Sequence, residues 1–482
     1  MPSYSAEQER QDCDRVLAPF LNHPDLPFAD VLSGADLQQA FADDQVAFGT
    51  SRTAVYTPPL TLWAWLSQTV SKDKACVAAA LRLGVLLLFL SRPPGDTNSG
   101  TYCRARAKMP RACLRRVAVR VGRTLERQVP RSWLWCGRHV HLVDGFTVTT
   151  ADTSANQARY PQPPSQKPGL GFPMLRLVLI VSLITATVQD LAYGPYQGKE
   201  TGEPALFRSL LNELVSGDVL VMDRYFCSYF MVALALARGQ DVVLRLHQRR
   251  KYDFQSGRRL GPGDHVVVWR RPKRPKWMTE QEYATIPETL TVREVLVQVS
   301  EPGFRVETLV VVTTLLEPEC YGKEEISDLY RQRWQVELDI RSLKVGLQLE
   351  HLRSLSPEMV HRELWANVLG YNLLRKVGAQ AALLHHRHPR EISFTATKQA
   401  VEGAWQLLSV ASADLQLAEG RYLLEELSKH RVGDRPNRCE PRAVKKRPKK
   451  QKLLTKPRAQ AKAELLGSQP GQATAGSAPQ RR

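Results

Sequence analysis

Long hydrophobic runs are absent from this chain of 482 residues. Residues 81–90 and 174–188, the second with Arg176 and Ser182 inside it, are shorter than the roughly 20 apolar residues that span a bilayer. The amino-terminal sequence MPSYSAEQERQDCDR also lacks the basic and then apolar pattern of a signal peptide. We therefore expect no membrane partner and a cytoplasmic location.

Paired cysteines and nucleotide-binding motifs are absent as well. The eight cysteines are dispersed, without a C-x-x-C pair or a histidine at zinc-finger spacing, so we expect buried structural thiols in a reducing compartment. No G-x-x-x-x-G-K-[ST] loop or G-x-S-x-G turn occurs, which leaves nucleotide-driven and serine-hydrolase functions without support. What remains is the composition of a basic globular protein, with 43% hydrophobic residues and a formal net charge of +19.

Two segments account for the positive charge. Residues 104–127 contain nine basic residues and a single acid, Glu126, while residues 431–482 contain fifteen basic residues and three acids. The rest of the chain is close to neutral. Localised positive charge of this kind favours a polyanionic partner, and nucleic acid is the commonest one.

The residues up to about 135 are predicted to form a helical DNA-binding domain. Leu114, Val117, Val121 and Leu125 recur at intervals of three and four residues, which is the spacing of one helix face. Arginines lie away from that face with few acids among them, whereas solvated charge runs usually mix both signs. A phosphate-contacting surface is therefore favoured over a solvated charge run. The arginines off the apolar face are Arg115, Arg116, Arg120, Arg123 and Arg127.

Residues 136–395 are predicted to form an α/β domain with a mixed sheet. Short apolar runs bounded by turn residues indicate strands, and the segments between them indicate helices. Further strand-like runs indicate a β-rich insertion over about 247–320. The expected strands are 139–144, 175–187, 219–222 and 242–246, then 266–269, 292–299 and 305–315 in the insertion, and the expected helices are 203–214 and 226–238.

Helical periodicity returns after the insertion, over residues 323–379. Residues 396–430 are expected to form a carboxy-terminal helical segment. The tail from 431 to 482 is rich in Lys, Arg, Pro and Gln with few large apolar residues, so we expect it to be disordered when alone.

Three acidic residues stand out by their surroundings. Asp144 follows the run His-Val-His-Leu-Val and Asp223 follows Val-Leu-Val-Met, so each carboxylate comes at the end of a predicted buried strand. A buried carboxylate either takes up a proton or finds a cation. A turn aspartate is the ordinary interpretation of each alone, but two on one sheet favour a functional site.

Glu337 is the third acidic residue, and its neighbours lie at helical spacing. Tyr330, Glu337 and Lys344 are seven residues apart, which places them nearly in line on a regular helix. Arg333 and Glu337 are four apart and can meet on its surface. Spacing alone fits an ordinary salt-bridged helix equally well.

The segment from Tyr330 to Lys344, with Arg333 and Glu337 in the pattern Y-x2-R-x3-E-x6-K, resembles the Y-R-E-K signature of the insertion sequence 4 family of bacterial transposases. These are members of the DDE superfamily with a ribonuclease H-like core. The resemblance covers roughly residues 55–375.

Other parts of the chain are similar to the same family. Asp144-Gly145 resembles its first-acid region, residues 217–224 its second, and residues 102–106 a segment of its amino-terminal domain. Phe146 is a departure, because many members have Thr directly after Asp-Gly.

This resemblance implies that Asp144, Asp223 and Glu337 are the catalytic triad and hold two Mg²⁺ ions, with Mn²⁺ as a substitute. Carboxylate oxygens suit Mg²⁺, and two ions can activate an attacking oxygen and neutralise the phosphate. Three clustered carboxylates would also repel one another without a cation. Asp152 is a weaker alternative to Asp144, because its run of Thr, Ser and Asn lacks strand character.

The other signature residues take supporting roles by the same resemblance. Arg333 and Lys344 are expected to hold phosphates near the cut site, the arginine by a bidentate fork and the lysine as a point charge. Tyr330 is expected to stack on a base or donate to a phosphate. Trp334 is either a base-stacking surface or part of the core.

Two further pairs of side chains have open or secondary roles. In related transposases an aromatic side chain of the β-rich insertion receives a flipped base, and Trp269 and Trp277 are equal candidates here. Strand alternation turns His139 and His141 to the opposite face from Asp144, which argues against metal ligation by either histidine.

The family implies cut-and-paste transposition of double-stranded DNA. Metal-dependent cleavage at each element end would release a 3′-hydroxyl that then attacks target DNA. The amino-terminal helices would bind the terminal inverted repeats, with Arg104 and Arg106 on a candidate base-reading helix over 102–108. Synapsis implies a homodimer, at the bacterial nucleoid. A ribonuclease H-like nuclease or resolvase without strand transfer, and a catalytically silent DNA-binding protein, remain as alternatives.

Overall fold

Helices dominate the amino-terminal part of the computed structural model, which describes residues 4–51, 53–95, 98–298, 308–433 and 454–467. Thr57 caps one of them by accepting a hydrogen bond from the Leu60 amide, and prolines occupy the next two positions, where their missing amide protons cost nothing. The helices are α1 (Ala6–Leu17), α2 (Gly34–Asp43), α3 (Pro58–Val70), α4 (Cys76–Phe89), α5 (Ser99–Lys108) and α6 (Arg111–Gln128). The predicted amino-terminal helices are confirmed.

One mixed sheet of ten strands follows in the described ranges. Its strands are β1 (Val140–Thr150), β2 (Met174–Ser182), β3 (Val188–Pro195), β4 (Val219–Met222), β5 (Asp241–Arg245), β6 (Arg258–Gly261), β7 (Asp264–Arg270), β8 (Thr289–Gln298), β9 (Thr308–Thr313) and β10 (His351–Leu352). Their order is β3-β2-β1-β4-β5-β9-β8-β7-β6, with β10 beside β1. β1, β4 and β5 run parallel, and the mixed α/β sheet predicted from the sequence is confirmed.

The predicted β-rich insertion extends this sheet. β9 pairs antiparallel with β5, with Val243 opposite Thr313, and β8, β7 and β6 continue outward from it. Two of the differences from the predicted strands concern β1 and its neighbour β2. β1 continues past Asp144 to Thr150, and the predicted strand 175–187 turns after Ser182 into a second strand, β3. The turn escaped detection because its polar residues, Ser182, Thr185 and Thr187, carry short hydroxyl side chains that also occur inside strands.

The remaining helices cover both faces of the sheet and its carboxy-terminal end. They are α7 (Ser154–Arg159), α8 (Glu203–Arg208), α9 (Tyr229–Leu236), α10 (Glu280–Thr285), α11 (Lys323–Arg331), α12 (Gln335–Arg341), α13 (Pro357–Leu384), α14 (Phe394–Val410), α15 (Ala413–Lys429) and α16 (Arg458–Gly467). The helical pattern predicted over 323–379 corresponds to α11, α12 and most of α13. Most of the tail from 431 to 482 lies outside the described residues, and α16 is a short helix within its described part.

Apolar side chains pack on both faces of the sheet. Leu142 and Val221 point to one face and join the core formed with α3, α6 and α13. Val143 and Met222, one position along, point to the other face and pack with α9. Asn372 of α13 ties the first core together, because its amide donates to carbonyls of both α6 and β3.

Two expectations from the sequence, on membrane-spanning helices and on buried thiols, can be compared with the described residues. None of its helices has the length and apolar character that crossing a bilayer demands. Cys13, Cys113 and Cys227 are buried free thiols, as predicted, but Cys136 and Cys320 are exposed. Cys439 lies outside the described residues.

Candidate active site

Asp144 lies on β1, and Asp223 directly follows the neighbouring parallel strand β4. Val143 of β1 pairs with Met222, the last residue of β4, so each aspartate comes one residue after a paired position. Alternation turns the Asp144 side chain to the face of Leu142, which carries the larger core. Adjacent strands lie about 4.8 Å apart, so the sheet itself brings the two carboxylates together.

Glu337 comes from a helical stretch whose winding changes twice. α11 ends at Arg331, a 3₁₀ turn covers Gln332–Trp334, and a π-helical turn over Ser342–Gly346 follows α12. α12 packs against β1. This packing brings Glu337 to the face that holds Asp144.

A buried ion pair network holds α12 in place. The Asp339 carboxylate lies 2.9 Å from the guanidinium of Arg375 and 2.9 Å from that of Arg390. Tyr371 also donates to it at 3.4 Å. Asp339 is fully shielded from solvent, so loss of either arginine would leave a costly buried charge.

The Arg333 guanidinium lies between the first and third acidic residues. Its Nη2 donates to Glu337 Oε1 at 3.0 Å, and its Nη1 lies 3.7 Å from Asp144 Oδ2. Both Arg333 and Asp144 have 18% of the side chain exposed, so solvent screens their attraction only in part. The guanidinium supplies positive charge to two carboxylates that would otherwise repel each other.

The pKa of Asp144 is raised to about 6 by burial. A hydrogen bond from the Gly145 amide and the charge of Arg333 oppose this rise, while the charges of Asp223 and Glu203 add to it. The carboxyl group is therefore poised between its protonated and ionised forms near neutral pH. A nearby cation would favour the ionised form.

Glu203 is a fourth carboxylate at this position that the sequence argument missed. It begins α8, and its side chain lies against Gly145, where a Cβ atom would approach Glu203 Cδ to 2.3 Å. Burial raises the pKa of Glu203, Arg176 opposes the rise and Asp223 adds to it. The glycine after Asp144 was the available signal, because the absence of a side chain there makes room for the glutamate.

The donor set fits a divalent cation in its chemistry. Carboxylate oxygens are the ligands that Mg²⁺ and Mn²⁺ prefer, and Asp144 and Asp223 supply them from a rigid sheet. In the described residues no three acidic, histidine or cysteine side chains converge as a ready ligand set. Glu337 is engaged by Arg333, so it would have to leave that partner to ligate a shared ion. The three-carboxylate metal site stays a prediction.

The remaining signature residues do not share one surface. Tyr330 is buried, Trp334 is 49% exposed, and Lys344 Nζ lies 4.0 Å from the carboxylate of Glu350. The 3₁₀ and π turns between them break the straight line that regular helix spacing predicted. Their phosphate and base contacts stay predictions.

The basic face predicted on α6 is present, but four of its arginines form ion pairs with acidic residues. The predicted apolar residues are buried, and the arginine side chains are between a third and a half exposed. Ion pairs join Arg115 and Arg123 to Asp190 and Glu213, Arg116 to Asp43 and Asp44, and Arg120 to Asp36. The premise that compensating acids are nearly absent is wrong, because they come from distant parts of the chain. DNA contact by this face stays a prediction.

The two candidate base-reading arginines of α5 have different surroundings. Arg104 is exposed and bonds only locally, to Thr101 at 3.0 Å. Arg106 lies over the rings of Trp65 and Tyr102, with its Cζ 5.2 and 4.9 Å from their centroids. Arg104 is thus the more accessible of the two.

Both insertion tryptophans are covered by arginine. The Arg250 guanidinium lies 3.7 Å from the centre of the Trp269 ring, and that of Arg208 lies 3.8 Å from Trp277. Trp269 is also buried and donates to Glu294 at 3.3 Å. An incoming base would have to displace an arginine in either case.

The residues judged less suitable as metal ligands have other partners. His139 lies 3.0 Å from Glu126, and His141 lies 3.2 Å from Asp218. Asp152 is exposed and accepts a hydrogen bond from Gln157. The assignment of the first acidic position to Asp144 stays a prediction.

The catalytic region is similar to known proteins. Residues 135–373 match the family model described as the transposase DDE domain. The chain is 26% identical over 396 residues to the transposase InsG for insertion sequence element IS4 of Escherichia coli K12, covering 81% of this chain and 85% of that protein. It is 39% identical over 65 residues to the transposase for insertion sequence element IS421 of Escherichia coli, covering 14% of this chain and 18% of that protein.

A cryo-electron microscopy structure of a piggyBac transposase synaptic complex with hairpin DNA aligns with a TM-score of 0.41 and 11% identity, over 88% of this chain and 86% of that one.

Proposed function

The chain belongs to the insertion sequence 4 family of DDE transposases, and from this premise we propose that Asp144, Asp223 and Glu337 form its catalytic centre. Transposases of this kind cleave DNA and transfer the cut strand, and this chain is such an enzyme. The family uses divalent metal ions. The relationship favours a transposase over a nuclease without strand transfer.

The observation that carries the proposal is the adjacency of the two aspartates. Asp144 on β1 and Asp223, directly after β4, each follow one member of the Val143–Met222 pair, and Arg333 contacts both Asp144 and Glu337. A core of parallel strands with an acid at each of two neighbouring positions supports a ribonuclease H-like centre. Two Mg²⁺ ions, or Mn²⁺, bound there would stabilise charge on the phosphate and lower the pKa of an attacking water.

The chain's own groups hold and orient the DNA for two reactions. In the first, a water oxygen attacks the phosphorus at an element end and the 3′ oxygen leaves, which releases a 3′-hydroxyl. In the second, that hydroxyl attacks the phosphorus of a target phosphodiester, the bond from this phosphorus to the target's own 3′ oxygen breaks, and that oxygen leaves as a 3′-hydroxyl. Arg333, once Glu337 turns away from it, offers a guanidinium fork to a phosphate oxygen.

DNA binding is assigned to surfaces around this centre. Arg104 and Arg106 on α5 and the arginines of α6 would contact the terminal inverted repeats, within a helical domain over residues 1–135. Tyr330, Lys344 and Trp334 would contact the cut strand, within a catalytic domain over 136–395. Synapsis of two ends would use a homodimer. The basic face contributing these arginines comprises Arg115, Arg116 and Arg120.

Cleavage of labelled element ends in Mg²⁺ tests the catalytic assignment. The variants Asp144→Asn, Asp223→Asn and Glu337→Gln are expected to bind end DNA as the parent does and to cut it at least a hundredfold more slowly. The matched controls Asp152→Asn and Glu350→Gln remove exposed nearby acids and are expected to cut normally. Equal cutting by the parent and the three variants would reject the centre, and failure of the released 3′ end to join target DNA would reject strand transfer.

A further inference from the structure

Two thiols of the amino-terminal helices share one guanidinium. Cys76 is the first residue of α4, and Cys103 lies in the middle of α5. Nη2 of Arg106 donates to both sulfurs, at 3.5 Å to Cys76 and 3.6 Å to Cys103. The two thiols therefore lie on either side of one guanidinium nitrogen, across the packed pair α4 and α5.

The arginine between them is held firmly. Its guanidinium lies over the Trp65 and Tyr102 rings, and its Nη1 donates to Gln68 Oε1 at 3.3 Å. An immobile cation beside two thiols favours ionisation of one of them.

The pair carries its negative charge on one sulfur. A hydrogen bond from Cys76 and the charges of Arg106 and Arg104 lower the pKa of the Cys103 thiol to about 5, against the effect of burial. The same hydrogen bond, together with burial, raises the pKa of Cys76, which keeps its proton. These influences favour the thiolate form of Cys103, and the thiolate is the reactive form of cysteine.

Small oxidants can reach this pair. Both side chains are partly exposed, and Cys76 lines a cavity of about 120 Å³ whose wall also includes Lys74 and Glu363. Hydrogen peroxide is little larger than water, and a cavity of this size holds several waters.

We propose that Cys76 and Cys103 are a reversible oxidation site, at which a hydroperoxide forms a disulfide that joins α4 to α5. The Cys103 thiolate attacks one peroxide oxygen, the O–O bond breaks, and the departing oxygen takes a proton to leave as an alcohol or water. Cys76 then gives up its proton and attacks the sulfur of the Cys103 sulfenic acid, expelling water as the S–S bond forms. Two thiols lose two electrons in total, and one hydroperoxide gains them.

Oxidation changes both the charge and the connectivity of this region. A disulfide carries no charge, so Arg106 loses its anionic partner, and residues 77–102 become a closed covalent loop. The site does not depend on the proposed catalytic centre, because none of its groups belongs to that centre.

Peptide mapping of the reduced full-length protein after hydrogen peroxide treatment tests the proposal. A Cys76–Cys103 linked peptide is expected to form first and to disappear on addition of dithiothreitol. Cys136 and Cys320, which are exposed, serve as reference thiols in the same sample. Oxidation of these two while Cys76 and Cys103 stay reduced would overturn the proposal.

Alkylation kinetics give a second readout on the unaltered protein. Cys103 is expected to react with iodoacetamide at a nearly constant rate between pH 6 and pH 8. The alkylation rate of Cys136 should instead rise about tenfold for each pH unit over the same range. At pH 6 Cys103 should be roughly fivefold faster or more, after allowance for the lower nucleophilicity of a low-pKa thiolate. In Cys76→Ser, the sulfenic acid of Cys103 should persist and react with dimedone. A Cys103 rate that rises in parallel with that of Cys136 would refute the thiolate pair.

Discussion

Arg333 donates a hydrogen bond of 3.0 Å to Glu337 four residues later, and the same guanidinium lies 3.7 Å from Asp144. The first and third acidic residues of the proposed centre therefore meet through a cation supplied by the chain. Ligation of a metal by Glu337 would exchange this cation for another. The exchange has consequences for pH dependence, because Arg333 lowers the pKa of Asp144.

Loss of Arg333 is expected to raise the pH below which the cleavage rate falls. Asp144 must be ionised to bind a divalent cation, so cleavage should fall as the pH drops through about 6. Arg333→Gln removes a charge that lowers this pKa, so the fall should begin at higher pH. Single-turnover cleavage rates between pH 5 and pH 9 measure the shift. The control Arg331→Gln alters an exposed arginine paired with Asp328, and identical profiles for the two variants would exclude the proposed coupling.

Loss of Glu203 is expected to shift the acid-side fall in cleavage rate to lower pH, which is the opposite of the shift expected on loss of Arg333. The Glu203 charge raises the pKa of Asp144, so Glu203→Gln should keep Asp144 ionised to lower pH and extend cleavage toward acid. The same rate series measures it. Glu200→Gln is a matched control, because Glu200 is an exposed carboxylate that pairs with Arg208. A shift toward higher pH would show that Glu203 acts in some other way.

The sheet was predictable where each strand is short and bounded by turns. The run over 219–222 became β4, with Asp223 as the residue directly after it. Prediction failed over the run 175–187, because its turn is marked only by short hydroxyl side chains, which strands also contain. Ser182 accepts hydrogen bonds there from the amides of Ile184 and Thr185. The alternating Phe146 and Val148, both buried, were the signal that β1 continues beyond Gly145.

The sequence singled out three acidic residues of the candidate site, whose catalytic roles stay predictions, but it did not reveal Glu203 or the other surroundings of these acids. A seven-residue spacing assumes a uniform helix, and the 3₁₀ and π turns on either side of α12 violate that assumption. Partners far away in sequence were also hidden. Asp190 lies 75 residues from Arg115 and still forms a 2.5 Å ion pair with it, so local charge counts overestimated the free positive charge of α6.

The arginines of α6 are expected to contribute less to DNA binding than their number suggests. Each phosphate contact changes the slope of log affinity against log salt by about 0.9, so three free arginines would change it by nearly 3. Because Asp and Glu partners must first be displaced, the joint substitution to glutamine should weaken end binding but lower the slope by only about 1 to 2. Filter binding across a salt series measures this, with Lys429→Gln on α15 as a control. An unchanged slope would reject the face as a DNA contact. The joint variant changes Arg115, Arg116 and Arg120.

The contact between α6 and β3 should tolerate no added methyl group. A Cβ atom at Gly122 would lie 2.4 Å from the Val188 carbonyl oxygen and 3.2 Å from the Asn372 amide nitrogen. Gly122→Ala is therefore expected to lower the free energy of unfolding by about 1–3 kcal/mol, despite the better helix propensity of alanine. Gly403→Ala, in α14, has open space around the new methyl and should be neutral or stabilising by up to about 1 kcal/mol. Urea denaturation compares the two, and equal effects would contradict the close approach.

Parallel pairing of β1 with β4 also constrains how this protein can vary over evolution. Successive strand residues advance by about 3.3 Å and point to opposite faces, so deleting Val221 alone would shift Asp223 by that length and reverse its direction. Exchange of one apolar residue for another in β4 has no such effect. Insertions and deletions in active copies should therefore fall outside these two strands, whereas their apolar side chains are free to drift.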